Sequence, residues 1–474
     1  MMIMVKETFF FYDVETSGLD PKTMRIMQFA GQRTDLNLRP IGQSVNWLVR
    51  LSDDILPDPE AVLLTGITPQ QTRQEGFSEA DFCKMLYQQV LTPGTIVTGF
   101  NNLRFDDNFL RYTLYRNLYD PYEWSWSENR SRWDLLDAIR LTRAVRPDGI
   151  NWPLDDEGLP TNRLEALART NGLDHASAHD AMSDVAALIG LARLLKDKQP
   201  KLFDYLLNMR HKKRVAELVN PQQPQPFVYA SGRYDASWLK TTIAYPIAAG
   251  TNPSGVLVWD LRQNPEDYLK LTESQISKMF DWQDAKAQLD GPPVPIKELC
   301  LNRCPAVAPV GVLDPTSRER LGLDLTKVES NLRALRHNRA LLTNFAKAFA
   351  GRPARVSESD VDGQLYDGFL DDADRRLLPL ARQADPDELS AIGTKFKDRR
   401  MTQLLLRYKA RNFENRLNDD ERAAWEAYRA QRLKADLPAF GQKLQALAAQ
   451  PSDDRQRFLI EELKLWAESI LPAA

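Results

Sequence analysis

The spacing of apolar residues changes along the chain, and each change predicts a different element. Phe9-Phe10-Phe11-Tyr12 is an unbroken apolar run, short and aromatic, which predicts a strand buried in a sheet. Thr95-Ile96-Val97-Thr98-Gly99-Phe100 repeats that signal. Beyond the turn residues Asn101 and Asn102, apolar positions recur at Phe105, Phe109 and Tyr112, a helical spacing. Further helices are predicted over Arg163 to Thr170, Ala181 to Lys196 and Leu202 to Val219. Strand and helix signals therefore alternate from Phe9 to about Lys198, the α/β pattern. Asn220-Pro221-Gln222-Gln223-Pro224-Gln225-Pro226 then breaks the chain, because proline neither donates a backbone hydrogen bond nor continues a helix. Phe227-Val228-Tyr229, Thr241 to Tyr245 and Val256 to Trp259 read as strands of a small β domain. Gly351-Arg352-Pro353 begins a second linker, and Ser357 to Ala474 is mostly helical, with Leu404, Leu405, Tyr408 and Phe413 at near-helical spacing.

Carboxylates sit at the ends of these elements. Asp13 and Glu15 follow the first apolar run two residues apart, so on an extended strand they share a face. Taken alone, that pair is a weak signal, and a turn with two solvated acids is the better reading of it. Asp106 and Asp107 lie in the first turn of the helix after Phe105, where the helix dipole favours negative charge, and periodicity leaves open which of them faces the pair. His179 and Asp184 flank the start of the helix from Ala181. Five residues on a helix do not share a face, but a histidine on the preceding loop can swing over a site that Asp184 lines. Histidine is the side chain whose proton affinity suits a general base near neutral pH. Four carboxylates and one histidine in these settings predict a metal-dependent phosphodiesterase site, and hard oxygen ligands suit Mg²⁺ or Mn²⁺ better than Zn²⁺. His175 and His179 are four apart, but no Glu follows His175 as a zinc-helix motif requires, so His175, like His211 and His337, reads as structural or solvated.

At 474 residues the chain has room for two to four domains. No apolar stretch reaches the ~18 residues needed to span a bilayer, and the opening Met1-Met2-Ile3-Met4-Val5-Lys6 is too short for a signal peptide. Cys83, Cys300 and Cys304 are too few for a disulfide scaffold or a four-ligand zinc site, which fits a reducing cytoplasm. The net charge of −3 is not that of a protein coating nucleic acid. A nuclease needs only local positive charge along a groove, while its centre is itself acidic.

The three acidic motifs, in this order, resemble the DnaQ-like superfamily of DEDDh 3′→5′ exonucleases, and the rest of the chain resembles exonuclease I, the bacterial family specific for single-stranded DNA. The resemblance is carried by Leu64-Thr65-Gly66-Ile67-Thr68-Pro69, Arg104-Phe105-Asp106-Asp107, Tyr115 to Trp126, Arg132 to Asp137, Gly149-Ile150-Asn151-Trp152-Pro153 and Ala178 to Asp184. It continues through Gln364-Leu365-Tyr366-Asp367-Gly368-Phe369 and Tyr408-Lys409-Ala410-Arg411-Asn412-Phe413, and is weakest over Phe227 to Gly291. It implies an α/β RNase H-like exonuclease domain (8–198), an SH3-like β domain with helices to about Ala350 (199–353), and a mainly helical C-terminal domain (354–474). It selects Asp106 over Asp107 and makes Asp13, Glu15, Asp106 and Asp184 the ligands of two Mg²⁺ ions, with Mn²⁺ able to substitute, and His179 the base. The implied reaction is processive hydrolysis of single-stranded DNA to 5′-mononucleotides, in DNA repair and recombination in the cytoplasm near the nucleoid. An exoribonuclease of the same superfamily and a catalytically silent adaptor are the rival readings; the extra domains argue against the first and the complete acidic set against the second.

The expected substrate contacts are Glu15, Leu64, Thr65, Ile67, Phe105, Trp124 and Arg163, with Leu64 to Ile67 against the terminal nucleotide. Trp133 is expected in the core, and Trp124 and Trp126 stand beside a charged run where bases could stack. Arg399, Arg400, Arg407 and Arg411 put cations around one helix interleaved with aromatics and are expected to grip the strand. Relatives in the resembled family bind the acidic tail of single-stranded DNA-binding protein (SSB), and the positions matching that pocket are Arg146, Tyr205 and Arg336. Asp314 stands where relatives carry a cation, which predicts weaker attraction for the tail. A monomer is expected.

Overall fold

The computed structural model describes residues 6–173, 180–280, 293–353, 357–358, 360–450 and 453–471. Within them the chain forms two compact units. The first combines residues 6–131, 180–186 and the segment from 357 onward; the second comprises 132–173 and 187–353.

In the first unit the Phe9–Tyr12 run lies in a longer strand, β1 (Thr8–Thr16), flanked by β2 (Ile26–Thr34), β3 (Val45–Leu48) and β4 (Thr95–Gly99). With β5 (Ser131–Asp134) the sheet order is β3-β2-β1-β4-β5. β2 runs antiparallel to β1, pairing Asp13 with Ala30 and Glu15 with Gln28, and β4 runs parallel to it. Phe9 to Tyr12 are buried on both faces, as central strands of a covered sheet are. Tyr12 stacks on Phe29 at 5.6 Å and Phe29 on Trp47 at 5.8 Å, fixing β1 against β2 and β3. The helices of this unit are α1 (Pro59–Thr65), α2 (Pro69–Glu75), α3 (Glu79–Met85) and α4 (Asp106–Arg116); α5 (Leu135–Val145) and α6 (Leu164–Thr170) belong to the second unit, and α7 (Ala181–Lys198) starts in the first. The predicted helix from Arg163 thus starts one residue later, with Arg163 as its N-cap. Gly99, at the end of β4, admits no Cβ because the Asn102 side chain lies against it; that close approach turns the chain into α4.

The segment after 357 is helical, as its spacing predicts, but it is not an independent body. Leu433, Phe440, Leu463, Trp466 and Ile470 share one core with Leu51, Ile55, Leu56 and Val62. Leu404, Leu405 and Tyr408 share another with Tyr112, Tyr115 and Leu118. In the second unit the predicted helical stretch from Leu202 to Val219 is two helices, Pro200–Asn208 and Lys212–Leu218. The small β domain is a five-stranded antiparallel sheet, β6 (Phe227–Ala230), β7 (Thr241–Ala249), β8 (Gly255–Asp260), β9 (Ile296–Cys300) and β10 (Ala306–Pro309), in the order β10-β6-β7-β8-β9. Its inner face packs Phe227, Ala244, Val258 and Val307 against Met209, Val215 and Val219.

Candidate active site

Strand β1 carries Asp13 and Glu15 past the apolar run without leaving the sheet, so their side chains share one face while Val14 between them is buried on the other. A register shift between Glu15 and Thr16 marks an irregularity there, beyond which Thr16 pairs with Ile26. Helix α7 supplies Asp184 in its first turn, a turn started by Asp180, whose Oδ2 accepts the Ser183 N–H at 3.1 Å. Asp13, Glu15 and Asp184 bring one carboxylate oxygen each within 4.8 Å of one another.

Asp106, the first residue of α4, is buried, and its charge reaches both β1 acids. Burial, then Asp106, Glu15 and Asp184, hold the Asp13 carboxyl well above the usual carboxylate range. Burial, then Asp184, Asp106 and Asp180, push Glu15 up to about 8. Four carboxylates so placed repel one another and resist sharing full negative charge. An all-oxygen donor set whose self-repulsion a divalent cation would reverse is what a hard metal ion requires, so the residues present fit such an ion.

The ambiguity between Asp106 and Asp107 is resolved by hydrogen bonding. Asp107 is fully buried and accepts the Tyr12 hydroxyl at 2.6 Å and the Asn102 amide at 3.2 Å, pinning α4 to β1. Its structural role leaves Asp106 to the acidic centre. His179 lies outside the described residues.

The other expected contacts divide. Leu64 is exposed, Thr65 and Phe105 are half-buried, Ile67 is buried, and Arg163 is exposed in the second unit. Trp133 is buried as expected. Trp124 is not available to a base: it is 0% exposed, packed in the core beside Phe109 and Leu114, with Nε1 donating to Pro121 O at 3.0 Å. Its neighbour Trp126, two residues on, is 65% exposed.

Of the four arginines expected to grip DNA, Arg400, Arg407 and Arg411 are engaged in ion pairs within the fold. Arg411, 5% exposed, sits in a buried ion cluster, 2.8 Å from Asp54 and 2.6 Å from Asp362. Arg25 and Arg432 share those two carboxylates, and Arg407 pairs with Asp360 at 2.5 Å and Asp362 at 3.1 Å. Burial opposes ionisation of Asp362, but Arg411, Arg25 and Arg407 outweigh it and hold the acid well below its ordinary range. Arg400 is tied to Asp398 at 2.7 Å and donates to Gln364 O at 2.7 Å and Gly368 O at 3.0 Å, so it holds a turn rather than a strand. Arg399 remains exposed at the start of helix Arg400–Asn412.

Beside that turn lies a feature with no local signal in the sequence. Phe369 is 77% exposed and lies 5.5 Å from Tyr122, which is 6.4 Å from Tyr366. The Arg111 guanidinium sits 5.7 Å over the Tyr122 ring and reaches the Tyr366 hydroxyl at 3.4 Å. Arg111 follows Asp106 by five residues on α4, about 7.5 Å along the axis. Tyr122, Tyr366 and Phe369 thus form an aromatic platform with a cation over one of its rings. The quoted motifs contain these aromatics, yet nothing local in them shows that residues some 250 positions apart meet.

In the second unit, Arg146 donates to Val312 O at 3.0 Å and pairs with Asp314 at 3.3 Å. Asp314 is held below its ordinary range chiefly by the Ser317 hydroxyl and N–H. Tyr205 is half-buried beside the β-sheet core, and Arg336 is exposed with its guanidinium 5.7 Å over Tyr245.

Three family models match the chain: "Exonuclease" over residues 10–192, "Exonuclease I SH3-like domain" over 210–351 and "Exonuclease I C-terminal domain" over 359–470. Exodeoxyribonuclease I of Escherichia coli is 39% identical over 98% of both chains. The crystal structure of E. coli exonuclease I in complex with a dA16 oligonucleotide superposes with a TM-score of 0.95 at 39% identity, covering 98% of this chain and 100% of that one. A structure of SSB/exonuclease I in complex with the inhibitor CFAM matches at TM-score 0.91 and 38% identity, over 98% of this chain and 100% of that one. With all three segments matched and the acidic centre in place, the chain belongs to the exonuclease I family.

Proposed function

We propose that the protein is a Mg²⁺-dependent 3′→5′ exodeoxyribonuclease that degrades single-stranded DNA processively to 5′-mononucleotides. The observation that carries the reading is the convergence of Asp13, Glu15 and Asp184, with the charge of Asp106, in a chain matching exodeoxyribonuclease I along 98% of its length. These four carboxylates would hold the metal. Bound Mg²⁺, for which Mn²⁺ can substitute, supplies positive charge to the scissile phosphodiester and lowers the pKa of water. His179 accepts the proton of the attacking water, whose oxygen bonds to the last phosphorus as the 3′-oxygen of the preceding nucleotide leaves. His179→Ala is expected to lower turnover ~10²–10⁴-fold, the usual range for a general base.

Leu64 to Ile67 pack against the terminal nucleotide, and upstream bases stack on Tyr122, Tyr366 and Phe369, with Arg111 over Tyr122; stacking of this kind is indifferent to sequence. Arg163 and Arg399 contribute positive charge along the strand. The three domains are assigned to 8–198, 199–353 and 354–474, and the enzyme works as a monomer in the bacterial cytoplasm near the nucleoid. End-labelled single-stranded DNA, blunt duplex and RNA, each with Mg²⁺ or EDTA, test the reading. Mg²⁺-dependent loss from the 3′ end of the single-stranded DNA alone is expected; equal rates on duplex or RNA overturn it.

Arg146, Tyr205 and Arg336 take the acidic C-terminal tail of SSB. The Arg146–Asp314 pair competes with the tail for Arg146, so Asp314→Asn is expected to tighten binding of a labelled tail peptide and Arg336→Ala to weaken it. Fluorescence polarisation at two salt concentrations reads both; no binding of the peptide at low salt removes this partner.

A further inference from the structure

The end of the metal-binding strand is tied to the C-terminal helices through one carboxylate. Beyond Glu15, the carbonyl of Ser17 accepts the Asp58 N–H at 2.7 Å. Gly18 lies so close that an added Cβ would meet Asp58 Cβ at 3.2 Å. Asp58 is also the N-cap of α1: its Oδ1 accepts the Glu60 N–H at 3.1 Å. Its other oxygen, Oδ2, accepts from Lys443 Nζ at 2.7 Å, and the same ammonium stands 3.6 Å from Glu60. Lys443 belongs to helix Asp419–Ala448, where its neighbours Phe440 and Leu444 are buried in the core shared with Val62 of α1. One side chain thus joins three things: the turn after Glu15, the start of the helix leading to Leu64–Ile67, and the C-terminal segment.

We infer that Lys443 is a positioning residue for the hydrolysis, fixing through Asp58 the angle between the metal-binding strand and the α1 turn that meets the terminal nucleotide. The inference rests on the proposed exonuclease reading. The pair is partly solvated, so it adds little to global stability. Stability of the segment is secured elsewhere, by Trp466 Nε1 donating to Ile55 O at 2.9 Å and Gln70 Nε2 to Glu462 O at 2.5 Å. What Lys443 adds is direction, and small misplacements of reacting groups are costly to turnover.

The test is a double-mutant cycle on the full chain, Lys443→Met, Asp58→Asn and both together, with Lys443→Arg as the conservative control. Single-strand kcat, KM and Tm are read for each. Each single variant is expected to lose about five- to tenfold in kcat with KM and Tm close to parental, the double variant to be no worse than either, and Lys443→Arg to recover most of the loss. Additive losses, a loss that tracks a fall in Tm, no recovery with arginine, or parental kcat throughout overturns the inference while the parent still degrades single strands. A parent without 3′→5′ activity overturns the functional reading, and this inference with it.

Discussion

At the scale of single residues, the site is defined by charges that oppose one another. Glu15, pushed up to about 8 from an ordinary 4.5, makes the metal-free fold prefer a protonated centre. A raised folded-state value contributes stability that is fully present below the ordinary carboxylate range and lost as pH rises through about 8. A divalent ion competes with those protons, so the Tm increase on adding Mg²⁺ is expected to be larger at pH 8.5 than at pH 6, and Glu15→Gln should flatten the difference. Equal shifts at both pH values contradict the assignment of these carboxylates to the metal. Arg411 tests the opposite kind of charge. Arg411→Met leaves Asp54 and Asp362 short of a partner in a buried cluster, which costs about 3–5 kcal/mol in denaturant unfolding. The salt dependence of single-strand binding should not change with it, whereas Arg399→Ala should flatten that dependence without altering the unfolding midpoint.

At the scale of elements, the parts legible in the sequence are those whose signal is local. The run ending at Tyr12, the strand at Thr95 and the helix from Ala181 were readable because period and length name an element without reference to anything distant. Strand β9 was not readable, since Lys297 and Glu298 interrupt its apolar pattern, and β10 is only four residues long. Period also failed to say what packs against a face. Arg407 and Arg411 read as a solvent-facing basic stripe because the acids that bury them, Asp54 and Asp362, come from far away in sequence. Trp124 and Trp126 are indistinguishable in sequence, yet the 3₁₀ turn at Glu123–Ser125 sends one into the core and the other outward. The aromatic platform shows the same limit, since Tyr122 and Phe369 meet only in the fold. Phe369→Ala is expected to weaken single-strand binding by about 1–3 kcal/mol, the usual worth of one stacked base, measured by anisotropy in EDTA so that no turnover intervenes. Binding at parental strength would take the strand off the platform.

At the scale of the whole molecule, the division by family model and the division by packing differ. The C-terminal model covers 359–470, but that segment shares two cores and the ion cluster with residues before 131. Removing everything after residue 356 would expose Leu51, Ile55 and Leu56 and strand Arg25 without Asp362. The truncated chain is therefore expected to lose cooperative thermal unfolding and bind a hydrophobic dye, rather than persist as a folded nuclease with a weaker grip. A sharp parental transition in the truncated chain would show that the nuclease part folds alone.

The proposed function has Asp13 and its partners direct hydrolysis at the 3′ end of a single strand. The most direct measurement follows 5′-labelled single-stranded DNA on a sequencing gel in Mg²⁺, with the parent and with Asp13→Asn. The parent should shorten the labelled strand progressively from its 3′ end and release unlabelled 5′-mononucleotides, and Asp13→Asn should leave the strand intact while unfolding at a temperature no lower than the parent's. Immediate release of the label as a mononucleotide, or undiminished digestion by Asp13→Asn, would contradict the account.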